Sequence, residues 1–122
     1  MAVTNLVFGA RADIKLKHGD HFDGHTWDFS DSAGAAYTWP DDVAALEIRF
    51  YEYNGGPQIG TTVDLSNGLS RSSEVVTIQA AFAIFDTDSV TAPGDVYYYE
   101  MILTTVTDSK HLTPAFGYST MI

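Results

Sequence analysis

Hydrophobic side chains recur along this chain with a period of two. From Leu46 to Tyr53, Leu46, Ile48 and Phe50 alternate with Glu47, Arg49 and Tyr51, as in a strand with one buried and one solvated face. Ile59, Thr61, Val63 and Leu65 alternate with Gly60, Thr62 and Asp64 in the same way, and Val76, Ile78 and Ala80 follow Glu74. The run from Val96 to Val106 is denser: Tyr97, Tyr99, Met101 and Leu103 share one face, Tyr98, Glu100, Ile102 and Thr104 the other. Nearer the start, Ile14 and Leu16 alternate with Asp13, Lys15 and Lys17, and Trp27 and Phe29 flank Asp28.

Turn chemistry separates these runs. His18-Gly19-Asp20, Asp31-Ser32-Ala33-Gly34, Ser66-Asn67-Gly68 and Pro93-Gly94-Asp95 are turn signals. Asn54-Gly55-Gly56-Pro57 stands at hairpin distance between two strands, and Asn-Gly suits the positive φ angles of primed turns. Two segments leave the period. Ala80 to Asp86 reads as one short helix, and Trp39 to Ala45 as at most one further helical turn with Asp41 or Asp42 as N-cap. The expectation is a single domain over 1–122: an antiparallel, immunoglobulin-like β-sandwich of seven or eight strands with one short helix.

Length and composition agree with one packed domain, since 122 residues with 45% apolar side chains suffice for a core. Charge narrows the partners. Six Lys and Arg stand against 16 Asp and Glu, a net charge of −10. That balance argues against a phosphate-tracking nucleic-acid surface and against a hold on anionic membrane. No stretch approaches the ~18 apolar residues of a membrane helix. Without cysteine, disulfide frameworks, thiolate zinc sites and Cys nucleophiles drop out together. The segment from Met1 to Ala10 lacks a basic n-region, and Leu6-Val7-Phe8 is too short for a signal h-region. Synthesis without an export signal is therefore expected.

The richest chemistry lies in His18-Gly19-Asp20-His21-Phe22-Asp23-Gly24-His25. Three imidazoles and two carboxylates could ligate a divalent ion, but the spacing matches no metal motif, and a solvated loop accounts for it. Asp20, Asp23, Asp28 and Asp31, like Asp86 and Asp88, offer oxygens without a calcium-loop signature. No Gly-x-Ser-x-Gly elbow or Walker loop occurs, and Glu47, Glu52 and Glu100 fall on outward faces, away from any apolar pocket. No enzyme activity, cofactor or metal is expected.

The aromatics say more. Trp27, Phe29, Phe50, Tyr97 and Tyr99 fit the inward face, where they are core. Tyr51, Tyr53, Tyr98 and Ile102 fall outward, an apolar row beyond what solubility needs. Such a row suits a protein interface, where Tyr is enriched, or a platform for sugar rings. Edge strands of so small a domain can also pair with a neighbour.

The order of landmarks resembles a family of small phage virion β-sandwich domains, among them the N-terminal domain of baseplate upper proteins and related tail or fibre proteins. Leu16-Lys17-His18-Gly19-Asp20-His21-Phe22 matches its opening strand and Gly-Asp pair. Trp27-Asp28-Phe29-Ser30-Asp31-Ser32-Ala33-Gly34 matches its aromatic strand, and Ala45-Leu46-Glu47-Ile48-Arg49-Phe50 its central strand with an Arg. Gly94-Asp95-Val96-Tyr97-Tyr98-Tyr99-Glu100-Met101-Ile102-Leu103 matches its tyrosine strand, and Ala115-Phe116-Gly117-Tyr118 its closing strand. Where the family has a short Asp/Asn-Gly hairpin before that last strand, Thr107-Asp108-Ser109-Lys110 stands without a glycine.

The resemblance implies a structural subunit of a phage particle, in the tail, baseplate, fibre or head decoration. Its partners would be other virion proteins or copies of itself in a homo-oligomer, with no nucleic acid and no membrane. The alternatives are a carbohydrate-binding module for host adhesion and a metal-dependent enzyme using His18, His21 and His25.

Overall fold

The computed structural model describes residues 2–17, 23–79, 93–107, 109 and 111–122. Eleven strands account for most of them: β1 (Ala2–Val7), β2 (Ala10–Arg11), β3 (Ile14–Leu16), β4 (His25–Ser30), β5 (Val43–Tyr51), β6 (Gln58–Asp64), β7 (Leu69–Ser72), β8 (Val75–Ile78), β9 (Val96–Thr105), β10 (His111–Leu112) and β11 (Ala115–Met121). The excess over seven or eight comes from short pieces. β2 and β3 lie end to end along β11, and β10 and β11 end to end along β9.

The strands form two sheets. The smaller runs β1-β4-β8-β7; the larger runs β2-β11-β9-β5-β6, with β3 beside β11 and β10 beside β9. Alternation fixes which side of each strand is buried, and β4 and β11 show it without a break. Trp27, Phe29, Leu69, Val76 and Ile78 from the smaller sheet meet Leu46, Ile48, Phe50, Tyr99, Met101 and Leu103 from the larger in one apolar cluster. The fold is thus all-β and sandwich-like. Trp27 and Tyr99 tie the layers: the indole N–H lies 3.4 Å from the phenol oxygen, and the phenol in turn donates to the Ala12 carbonyl.

Alternation gave no strand direction, and here the structure departs from an antiparallel sandwich. Both sheets are mixed. β1 runs parallel to β4, and β2 and β3 run parallel to β11. The cause is the chain's path after β1: at Phe8-Gly9 it turns from one sheet to the other, with Gly9 at φ 87° and its N–H on the Pro114 carbonyl at 2.7 Å.

None of the described residues is helical. The helix expected over 80–86 lies outside the described residues. The turn expected at Trp39 to Ala45 is not helical: Asp41 and Asp42 form a turn and the chain is extended from Val43. Val43 and Ala45 pair with Thr105 and Thr104 of β9, and ladder pairing outweighs the helix preference of so short a run. Asp42 caps the neighbouring hairpin instead, accepting from Val106 N at 2.8 Å and, through Oδ2, from Thr107 N at 3.0 Å. In that hairpin Ser109 supplies the positive φ, 47°, where a glycine was missed.

Candidate interaction surface

The outward face of the larger sheet carries a row of aromatic side chains. Register places Tyr51 of β5 beside Tyr98 of β9, and Tyr98 beside Tyr118 of β11. Facing partners on adjacent strands are close enough for ring contact. The Tyr51 and Tyr98 centroids are 6.2 Å apart at 42°, those of Tyr98 and Tyr118 5.6 Å apart at 72°. Arg11 of β2 closes the row, its guanidinium 5.3 Å from the Tyr118 centroid, within cation–π range.

Arg11 is oriented by Asp13: Nε donates to Oδ1 and a terminal nitrogen to Oδ2, both at 3.1 Å. Asp13 Oδ1 also accepts the Tyr118 N–H at 3.0 Å. The Arg11 hydrogen bond, then that N–H, hold the Asp13 carboxyl below its ordinary range. The carboxylate thus fixes both ends of the contact, Arg11 and the strand carrying Tyr118. Along the same face Phe116 is half-buried beside Glu100, and Arg49 pairs with Glu47 at 2.8 Å. A depression of about 110 Å³ opens between Arg11, Asn54, Tyr98, Phe116, Gly117 and Tyr118.

The four residues expected in one outward row divide. Tyr51 and Tyr98 belong to it, but its centre is shielded, with Tyr98 only 9% exposed between its neighbours. Tyr53 lies beyond the end of β5, 60% exposed, its ring against Gly56 so that a Cβ there would come within 2.8 Å. Ile102 stands half-buried two rows along, beside Glu47. Tyr118 and Arg11, the other members, could not be found by alternation alone. Register between distant strands decides who stands beside Tyr98.

A second concavity, about 510 Å³, lies at the edge of the smaller sheet between residues 36–41 and Arg71, Ser73 and Glu74. Phe8 stacks on Tyr37 at 4.0 Å and 10°, and Trp39 stands edge-on to both. The Trp39 N–H donates to the Ser73 carbonyl at 2.7 Å, and Arg71 covers the indole at 5.2 Å. In the sequence pattern Trp39 opens the expected helical turn and nothing more; the available signal is three aromatics, Phe8, Tyr37 and Trp39, outside the main strand runs.

The histidine loop is only partly within view. His18 and His21 lie outside the described residues. His25 is a core residue, 2% exposed, on β4. Its ring packs edge-on to Trp27 at 4.7 Å, Nε2 lies 2.8 Å from Thr4 Oγ1 across the β1–β4 pair, and Nδ1 has no partner. Burial lowers its pKa from 6.5 to about 4, against the opposing pull of Asp23. Asp23 pairs with Lys17 at 3.2 Å, and Asp31 Oδ1 accepts the Ala33 and Ala35 N–H groups in its own turn. Asp20, Asp86 and Asp88 lie outside the described residues. Among the described residues no three His, Asp or Glu side chains converge on a common point.

No family model matches this chain, and no curated protein is similar to it in sequence.

Proposed function

We propose that this chain is a structural subunit that works by protein–protein contact, and that the assembly is a phage particle, in its tail, baseplate, fibre or head decoration. The observation that carries the reading is the cross-strand row Tyr51–Tyr98–Tyr118 ending on Arg11. Tyr and Arg are among the residues most enriched where binding energy concentrates. They are held here by register and by Asp13, so little side-chain freedom is lost on docking. A stable contact of this kind buries about 1,200–2,000 Å² in total. The immunoglobulin-like architecture belongs to the same proposal; two facing sheets and an N-terminal segment shared between them support it. A non-enzymatic role, a place in the virion, and other virion proteins and copies of the chain as partners belong to the proposal as well. The net charge of −10 keeps free subunits apart before assembly. The test is mass spectrometry of purified particles from cells that make this chain. The chain should be a stoichiometric component, and Tyr118→Ala with Arg11→Ala should deplete it from particles while the free subunit stays folded. A chain found only in the soluble fraction overturns the reading.

A second reading, carbohydrate binding for adhesion, is favoured by the cleft of Tyr37, Trp39 and Arg71. The tyrosine row is tilted rather than coplanar, and in the cleft Trp39 is buried, so in this reading the sugar stacks on the half-buried ring of Tyr37 beside Arg71. A glycan array in which hits vanish with Tyr37→Ala would support it, and an array without hits would remove it.

A further inference from the structure

Two sheets leave four edges, and three of them carry devices that discourage further strand pairing. β7 has four residues and bears Arg71. β6 follows Pro57, contains Gly60 at φ 62°, and faces a register shift between Ile48 and Phe50. β2 and β3 are interrupted at Ala12-Asp13 and carry Arg11 and Lys15. The fourth edge, β1, has none of these. Its six residues, Ala-Val-Thr-Asn-Leu-Val, include no charge, glycine or proline, and its register with β4 runs unbroken through six pairs.

The free edge can be read residue by residue. Phe8 N–H donates to the Ser30 carbonyl at 2.9 Å, just past the Val7–Ser30 pair. In a parallel ladder alternate residues turn their backbone groups toward the partner. Thr4 and Leu6 therefore bond to β4, while Val3, Asn5 and Val7 turn N–H and C=O outward. No strand takes up those groups among the described residues. On the outward face of the sheet Val3 is 58% and Val7 45% exposed.

We infer that β1 docks on the β1 of a second copy of this chain, antiparallel about a two-fold axis at Asn5, so that the two four-stranded sheets join into one of eight. The segment is self-complementary about Asn5. Antiparallel pairing there sets Val3 opposite Val7, Thr4 opposite Leu6 and Asn5 opposite itself, with all three outward-turned residues in hydrogen-bonded positions. Charge favours the same contact. Each copy carries −10, so a self-interface forms most easily where carboxylates are absent. Asp28, beside Asn5 on β4, comes no nearer its copy than three strand spacings, about 14 Å, beyond the Debye length of about 8 Å at physiological salt. The inference gives the assembly reading one specific self-contact and rests on it only for the use the contact is put to.

The experiment uses the full chain, by sedimentation and light scattering from micromolar to millimolar concentration. A species of twice 13.3 kDa is expected. Val3→Lys with Val7→Lys, both exposed positions, should weaken it at least tenfold with an unchanged circular dichroism spectrum. Because the chain has no cysteine, Asn5→Cys should form a disulfide-linked dimer on mild oxidation. The facing Cα atoms of such a pair lie about 5.5 Å apart, within disulfide reach. This second variant decides the matter if the lysine pair unfolds. Three results overturn the inference: a monomer at millimolar concentration, a dimer untouched by the lysines, or Asn5→Cys cross-linking no faster than Ser72→Cys. A monomer that captures an extended peptide along β1 overturns it too, since the edge then serves another protein. Tyr118→Ala leaves this dimer intact, so loss of particle incorporation and loss of the dimer are separate failures.

Discussion

The two sheets bury the same kind of surface and expose different ones. Outside the smaller sheet, β4, β8 and β7 present mostly hydroxyls, Thr26, Ser30, Thr77, Ser70 and Ser72, beside Asp28 and Val75, with the Thr26 and Thr77 hydroxyls 3.1 Å apart, while the edge strand β1 adds Val3 and Val7. Outside the larger sheet, β5, β9 and β11 present Tyr51, Tyr98, Tyr118 and Phe116 with paired charges around them. Fold stability draws mainly on the inward faces, so much of what the outward faces carry can serve contact with other molecules. A hydroxyl-rich face is well solvated. A tyrosine row shielded by its own neighbours is already partly dry, and a partner need displace little ordered water from it.

The comparison first requires that both sheets depend on one interior. Trp27 is fully buried and touches Tyr99 across the layers. Trp27→Ala should cost about 3–5 kcal/mol of unfolding free energy in urea titration, the range for deleting a buried aromatic. Both sheets should unfold in one transition, followed by tryptophan fluorescence from Trp39 and by far-ultraviolet dichroism. Two separate transitions would mean that the outward faces sit on independent units.

His25 adds a pH dependence confined to the smaller sheet. Its pKa is about 4 in the fold and 6.5 when unfolded. Between those values the unfolded chain binds a proton that the folded chain refuses, so stability is full above pH 6.5 and falls as pH drops toward 4. The loss from this group approaches about 3 kcal/mol by pH 4. His25→Phe should flatten the stability curve between pH 6.5 and 4, and a curve unchanged by it would place the titration elsewhere.

Gly117 tests the larger sheet at its seam. Its φ is 152°, and a Cβ there would sit 2.6 Å from the Ala12 carbonyl oxygen and 2.8 Å from Asp13 Oδ1. The break between β2 and β3 bulges into that space, and the Tyr99 phenol holds it there. Gly117→Ala should cost about 2–3 kcal/mol by the same titration, because backbone must shift. It should also disturb the Asp13 cap on Tyr118, and hence the tyrosine row.

These positions show what could be read from the chain alone. Strands β3, β4, β5, β6, β8 and β9 follow from alternation, because each has one buried and one wet face, whereas β11 comes only from the family resemblance. β1 escaped: from Val3 to Val7 only Leu6 is buried, and Val3 and Val7 point to water, so its alternation is not that of a core-facing strand. Its β-branched residues were the remaining signal. Parallel pairing was hidden for a different reason. Direction depends on where the chain crosses between sheets, and one turn at Phe8-Gly9 sets it. Outwardness of Tyr51 and Tyr98 was legible, but their company was not, since Tyr118 stands 20 residues beyond Tyr98 and Arg11 40 residues before Tyr51, on strands whose register alternation does not give.

The finest test compares single residues on the two outward faces. Tyr118→Ala removes an edge-on ring contact with Tyr98 and the surface under Arg11. Cross-strand aromatic pairs are worth about 0.5–1.5 kcal/mol, so the isolated domain should lose about 1 kcal/mol. Thr77→Ala removes one hydroxyl contact with Thr26 on a wet face, where water replaces the partner, and should lose no more than about 0.5 kcal/mol. Equal losses would erase the energetic difference between the faces. A larger loss at Tyr118 would mean that the row is part of the structure's support before any partner arrives. Its tyrosines would then be presented to that partner in fixed positions, rather than ordered by it.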